Sequence, residues 1–122
     1  MAELINLKTF CDARGNLTVI ERIIPFEIKR IFYIYGVDSS VRGQHRHHKT
    51  RQAAICLRGA CTIWNNNGER QDTFLLDSPD KCLLLEPRDW HKMFEFTPDA
   101  ILMVLASEYY DYSDYIFDGY AQ

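Results

Sequence analysis

Every imidazole in the chain falls within two short segments. Three of the four histidines stand in RGQHRHHKT, from Arg42 to Thr50, and the fourth, His91, stands in EPRDWHKMF. No carboxylate interrupts the first segment. Histidine titrates nearest neutrality, so paired imidazoles can take a proton at one point and return it at another, or can hold a divalent cation. Alternate residues of an extended strand share a face, which puts His45 and His47 on one side and Arg46 and His48 on the other. Two imidazoles about 6.5 to 7 Å apart along such a strand can converge on one small ligand. A metal site, a proton-transfer site and a solvent-facing basic strand all stay open at this stage.

The elements that must position these residues are strands. At 122 residues, 47% hydrophobic and 25% charged, the chain has the balance of one soluble globular domain spanning 1–122. Segments rich in β-branched and aromatic residues recur about every eight to twelve residues between turn signals, the pattern of an all-β sandwich or barrel. LINLKTF precedes DARGN, IKRIFYIYGV precedes DSS, and QAAICLRG, ACTIW, QDTFLLD, KCLLLEP, KMFEF and AILMVLA follow. ACTIW-NNNG-ERQDTFLL reads as a hairpin, because Asn and Gly tolerate the positive φ of tight turns. Gly59 marks another reversal. No stretch before Ser107 has an apolar period of 3.6, so the expectation is nine or ten strands, with a short irregular or helical tail.

A formal charge of −3 gives no electrostatic case for binding nucleic acid. The distribution is uneven. Arg42, Arg46, Lys49 and Arg51 crowd the histidine segment, whereas Glu108, Asp111, Asp114 and Asp118 crowd the tail. A small anionic ligand near the basic segment and a plain solvated strand both fit that pattern. Cys11, Cys56, Cys61 and Cys82 form no C-x-x-C pair, and no secretory hydrophobic region opens the chain, so reduced packing cysteines in a cytoplasmic protein are expected. The longest apolar run, Ala100 to Ala106, falls far short of the roughly 20 residues that cross a bilayer. It reads as a buried strand.

G-x-H-x-H, then four residues, Gln52, six residues and Gly59, resembles the first motif of the cupins, and Pro87 with His91 resembles the second. Metal-binding cupins carry His, His, Glu and His; here Gln52 holds the Glu position, and its neutral amide is a weak ligand for a divalent cation. More closely, IPFEIKRIFYIYGV, RGQHRHHKTRQAAICLRGACTIW and the long segment ending VLASEYYDYSDYI resemble the dTDP-sugar 3,4-ketoisomerases, the WxcM-like cupins of deoxysugar biosynthesis. The likeness runs from DARG near the start to the tail. Arg46 and His48 depart from the Ala and Lys usual there.

That resemblance implies an all-β, RmlC-like cupin jelly-roll barrel, a homodimer with an exchanged N-terminal strand, and an enzyme using no metal or other cofactor. The implied reaction is conversion of dTDP-4-keto-6-deoxy-D-glucose to a 3-keto isomer through an enediol, in biosynthesis of 3-amino-3,6-dideoxy sugars for lipopolysaccharide or S-layer glycans. By position in the motifs, His47 is the expected base and His45 its partner in proton transfer, with Tyr33 as a third catalytic group. Arg42, Arg14, Gln52, Trp90 and His91 are the expected substrate-binding residues, with the Tyr109, Tyr110, Tyr112 and Tyr115 cluster covering core or dimer seam. The alternatives are a metal-dependent cupin isomerase or oxygenase using His45, His47 and His91, and a non-catalytic sugar-nucleotide-binding cupin.

Overall fold

The computed structural model describes residues 2–120. Two five-stranded antiparallel sheets face one another as a jelly roll. The first runs β1 (Glu3–Asn6), β9 (Lys81–Leu85), β6 (Gln52–Arg58), β11 (Ile101–Ala106) and β4 (Arg30–Ile34). The second runs β12 (Tyr115–Ile116), β5 (Arg42–His47), β10 (Trp90–Phe94), β7 (Cys61–Asn66) and β8 (Gln71–Leu76). A separate hairpin joins β2 (Lys8–Asp12) to β3 (Gly15–Val19) and pairs with neither sheet. The all-β expectation holds. LINLKTF divides at Leu7, where the backbone N–H turns to donate to Asp80 O at 2.7 Å.

The strand sequences follow from what each sheet buries. The first sheet is covered on both faces: Ala54, Cys56, Leu83, Leu102 and Val104 point into the barrel, whereas Ala53, Ile55, Cys82 and Leu105 pack outward under Ile20, Ile24 and Phe26. Its strands therefore read as unbroken apolar runs, a pattern that double coverage demands. The second sheet carries the alternating sequences, with Ile63, Leu76, His91 and Met93 turned inward. All four cysteines are free thiols, and Cys56, Cys61 and Cys82 are buried packing residues.

Two turns have visible causes. The Asn67 side chain accepts N–H bonds from Glu69 and Arg70, both at 2.9 Å, and closes the expected β7–β8 hairpin. Gly59 has φ +69°, and a Cβ there would lie 2.2 Å from Thr97 Oγ1, so the reversal after β6 excludes any side chain. The tail is short and largely irregular, as expected, and adds one pairing. After a single 3₁₀ turn at Tyr112–Asp114 it becomes β12, which pairs Tyr115 with His47 and Ile116 with Arg46.

Candidate active site

The barrel encloses a cavity of about 140 Å³, lined from the first sheet by Phe32, Ile34, Gln52, Ala54, Leu85 and Val104, and from the second by Arg42, Gly43, His45, Ile63, His91, Met93 and Tyr115. Backbone register brings the histidines together. His45 on β5 lies directly opposite His91 on β10, and their ring centroids are 4.9 Å apart. His47 stands 4.8 Å from His45 ring to ring and 6.3 Å from His91. His48 is exposed and Arg46 stacks outside over Tyr120, as strand alternation requires.

Simple alternation would turn Arg42 away from His45. A bulge corrects this: the β5–β10 register slips between His91↔His45 and Lys92↔Gly43, leaving Gln44 as the extra residue. Gly43 and Gln44 take φ of 83° and 61°. The slip carries Arg42 onto the histidine face opposite Met93, a re-aiming that bulges commonly perform. A Cβ on Gly43 would stand 3.1 Å from His91 O, so the close approach of the two strands also requires glycine there.

Two tautomers follow from the hydrogen bonds. His45 Nδ1 donates to Gly43 O at 3.0 Å, and His91 Nδ1 donates to Asp89 O at 3.1 Å; a carbonyl only accepts, so each ring leaves Nε2 as its free lone pair. His47 Nε2 is buried without a partner among the described residues. Burial, reinforced by the neighbouring His45, pushes His47 down to about 4, despite the opposing pull of Asp114. Burial likewise pushes His91 down to about 3, and lowers His45 against its bond to Gly43 O. All three rings are neutral near pH 7, the form in which an imidazole accepts a proton.

Asp89 supports this arrangement from behind. It is almost fully buried, accepts the Glu86 N–H at 2.7 Å, and burial raises its carboxyl above the ordinary carboxylate value.

The tail supplies two site residues that the histidine motif does not announce. Tyr115 lines the cavity, with its ring 4.6 Å from His45 and 4.9 Å from His47. Asp114 holds it there: its carboxylate accepts the backbone N–H groups of His48 at 3.1 Å, Lys49 at 2.8 Å and Thr50 at 3.2 Å, together with the Thr50 hydroxyl. Burial opposes ionisation of Asp114, but the Thr50 and Lys49 donors outweigh it and hold the carboxyl below its ordinary value. The acidic tail thus answers part of the basic segment within the molecule. That charge complementarity was the available signal.

Three expected site residues lie elsewhere. Tyr33 is 62% exposed on the outer face of β4, because Phe32 and Ile34 take the inward positions. Trp90 follows the same rule: His91 faces in, so Trp90 faces out, donating Nε1–H to Phe117 O at 3.1 Å and packing on Trp64. Arg14 sits in the β2–β3 turn, its side chain 91% exposed and paired with Asp12 at 2.7 Å. Of the other expected site residues, Arg42, Gln52, His45 and His91 line the cavity, and His47 packs against its ring wall. The imidazoles meet edge to face, and among the described residues no group of three or more His, Cys, Asp or Glu side chains is arranged to hold a metal ion.

Comparison with known proteins gives a consistent result. The family described as FdtA (WxcM-like, C-terminal) matches residues 1–122. A TDP-4-oxo-6-deoxy-alpha-D-glucose-3,4-oxoisomerase of Aneurinibacillus thermoaerophilus is 43% identical over 117 residues, covering 93% of this chain and 84% of that protein. The QdtA 3,4-ketoisomerase of Thermoanaerobacterium thermosaccharolyticum, as a histidine-to-asparagine variant in complex with TDP-4-keto-6-deoxyglucose, superposes with a TM-score of 0.91 at 42% identity, covering 96% of this chain and 87% of that one. The WlaRB TDP-quinovose 3,4-ketoisomerase of Campylobacter jejuni superposes with a TM-score of 0.91 at 37% identity, covering 96% and 92%.

Proposed function

The chain belongs to the FdtA family of WxcM-like proteins, and from that premise we propose that it is a sugar-nucleotide 3,4-ketoisomerase acting on dTDP-4-keto-6-deoxy-D-glucose. The observation that carries the reading is the ring cluster of His45, His47 and His91 in an apolar barrel cavity, with Nδ1 of His45 and of His91 tied to backbone carbonyls. Such imidazoles are fixed in orientation and neutral, ready to move a proton at working pH.

His47 takes the proton from sugar C3, whose acidity comes from the C4 ketone. The C–H bonding pair becomes the C3–C4 π bond of an enediolate, and the former carbonyl pair moves onto O4. His45 serves the oxygen side, passing a proton between O3 and O4. Return of a proton to C4 leaves the ketone at C3. Atoms and electrons balance within the sugar, so the step calls for no oxidant or reductant. Arg42 and Gln52 bind the substrate at the cavity wall, and Tyr115 closes it over both rings.

The working unit of this reading is a cytoplasmic homodimer. Phe10 and Leu17 are 54% and 59% exposed on a hairpin that pairs with neither sheet, whereas β4 is a sheet edge bearing exposed Ile31 and Tyr33, with exposed Tyr35 just beyond its end. An edge strand with apolar side chains is a template for a strand from another chain. Exchange of the hairpin between copies would cover both and carry Arg14 to the partner. The activity is tested by incubating the protein with dTDP-4-keto-6-deoxy-D-glucose and following the sugar by NMR. Appearance of a 3-keto isomer is expected; tight TDP binding with unchanged sugar would instead mark a binding module.

A further inference from the structure

Arg30 opens β4, and the sheet register shows where it points. It pairs with Ala106, Ala106 pairs with Gln52, and Gln52 pairs with Leu85. Directly opposed residues of a sheet share a face, and Gln52 and Leu85 both line the cavity. Parity along β4 agrees, since Phe32 and Ile34 also line it. Arg30 therefore projects to the interior side of the barrel, in the same cross-strand row as Gln52.

Nothing in the described residues neutralises it. The neighbouring cations are paired, Lys29 with Glu108 at 3.9 Å and Arg51 with Glu86 at 3.3 Å, but Arg30 has no such carboxylate among the described residues, and its Nε is buried with no hydrogen-bond partner. Its guanidinium lies 5.2 Å from the Phe32 ring centroid and 5.6 Å from that of Tyr110, contacts that hold the group without occupying its N–H fork. Its charge reaches His47, whose protonation it opposes. Arg30 is half-buried, and a guanidinium whose Nε is buried without a partner is costly; a site keeps one where an anion arrives during the work.

We propose that Arg30 is a catalytic residue of the same reaction: its N–H groups donate to the anionic O4 that forms when the C3 proton leaves. The inference rests on the ketoisomerase reading and adds the group that stabilises the enediolate. A donor aimed at developing charge contributes to kcat and leaves ground-state nucleotide binding largely alone.

The test uses Arg30→Met and Arg30→Lys in the full chain, each checked by circular dichroism, with Arg30→Gln in place of Met if that variant does not fold. Removing one such donor should lower kcat about 10² to 10³-fold, with the TDP dissociation constant unchanged within a few-fold and Arg30→Lys intermediate. In free protein, NMR titration of His47 should move upward in Arg30→Met, a change that a purely structural role would not produce. Wild-type kcat in Arg30→Met would overturn the inference, as would Arg30→Lys as slow as Arg30→Met, or a loss of TDP affinity with kcat intact. If the wild-type protein itself turns nothing over, the ketoisomerase reading falls instead. The His47 titration then decides the placement of Arg30, and an unmoved curve overturns it.

Discussion

Replacing Asp114 by alanine should unfasten the tail from the histidine strand. The carboxylate accepts three backbone N–H groups and the Thr50 hydroxyl, and the residue is only 4% exposed. Each buried donor left without a partner costs about 1 to 3 kcal/mol. The 48–50 loop is partly exposed and water can reach some of what is freed, so a net loss of about 3 kcal/mol follows from the low end of that range. For a chain of this size that lowers Tm by about 12 °C. Thermal unfolding by circular dichroism, with a denaturant series to check that m is unchanged, measures it. Asp114→Asn keeps one acceptor but turns an NH2 toward other donors, so it should fall between Ala and wild type. An Asp114→Ala protein melting within about 2 °C of wild type would refute the anchoring role, since ordinary surface changes stay within about 0.5 kcal/mol.

His47→Asn should lose at least about a hundredfold in kcat with TDP binding nearly unchanged, and His48→Asn, on the opposite side of the strand, should stay within a few-fold of wild type. Steady-state kinetics on both variants reads this; a dead His48→Asn beside a live His47→Asn would reverse the strand assignment. Stability should fall on acidification from about pH 6.5 toward 4, because the unfolded chain takes protons near 6.5 whereas folded His47 and His91 resist them until about 4 and 3. The sign is that of a folded pKa depressed below the unfolded one, with a slope of about 1.4 kcal/mol per pH unit per histidine. Denaturant midpoints across that window check it, and His91→Gln should flatten the dependence.

The legible parts of the sequence were those fixed by local periodicity. The unbroken apolar run ILMVLA announced a buried strand, QAAICL announced another strand, and NNNG announced its hairpin. The H-x-H pair announced one face of one strand, and His45, His47 and His91 do meet. Parity alone also turns Trp90 away from the cavity once His91 faces inward, and turns Tyr33 away once Phe32 does; resemblance had suggested both as site residues. What no local pattern shows is the long-range register. The slip at Gln44 that turns Arg42 inward depends on β10. Asp114 and Tyr115 are far from the histidines in sequence and reach them only because β12 pairs with β5. Arg30 reads as an ordinary strand-opening arginine until its row across β11 to Gln52 is known.

The measurement that most directly tests the account is solvent exchange during turnover. Wild-type protein and His47→Asn would each be incubated with dTDP-4-keto-6-deoxy-D-glucose in D2O, and carbon-bound deuterium followed at C3 and C4 by NMR. A proton taken from carbon by a side chain and returned through an enediol predicts deuterium on the sugar carbons with wild type, reduced about a hundredfold or more with His47→Asn. A 3-keto product formed at full rate by His47→Asn with the same deuterium pattern would contradict the assignment of His47 as the base. No exchange and no isomer with wild type would contradict the ketoisomerase reading itself.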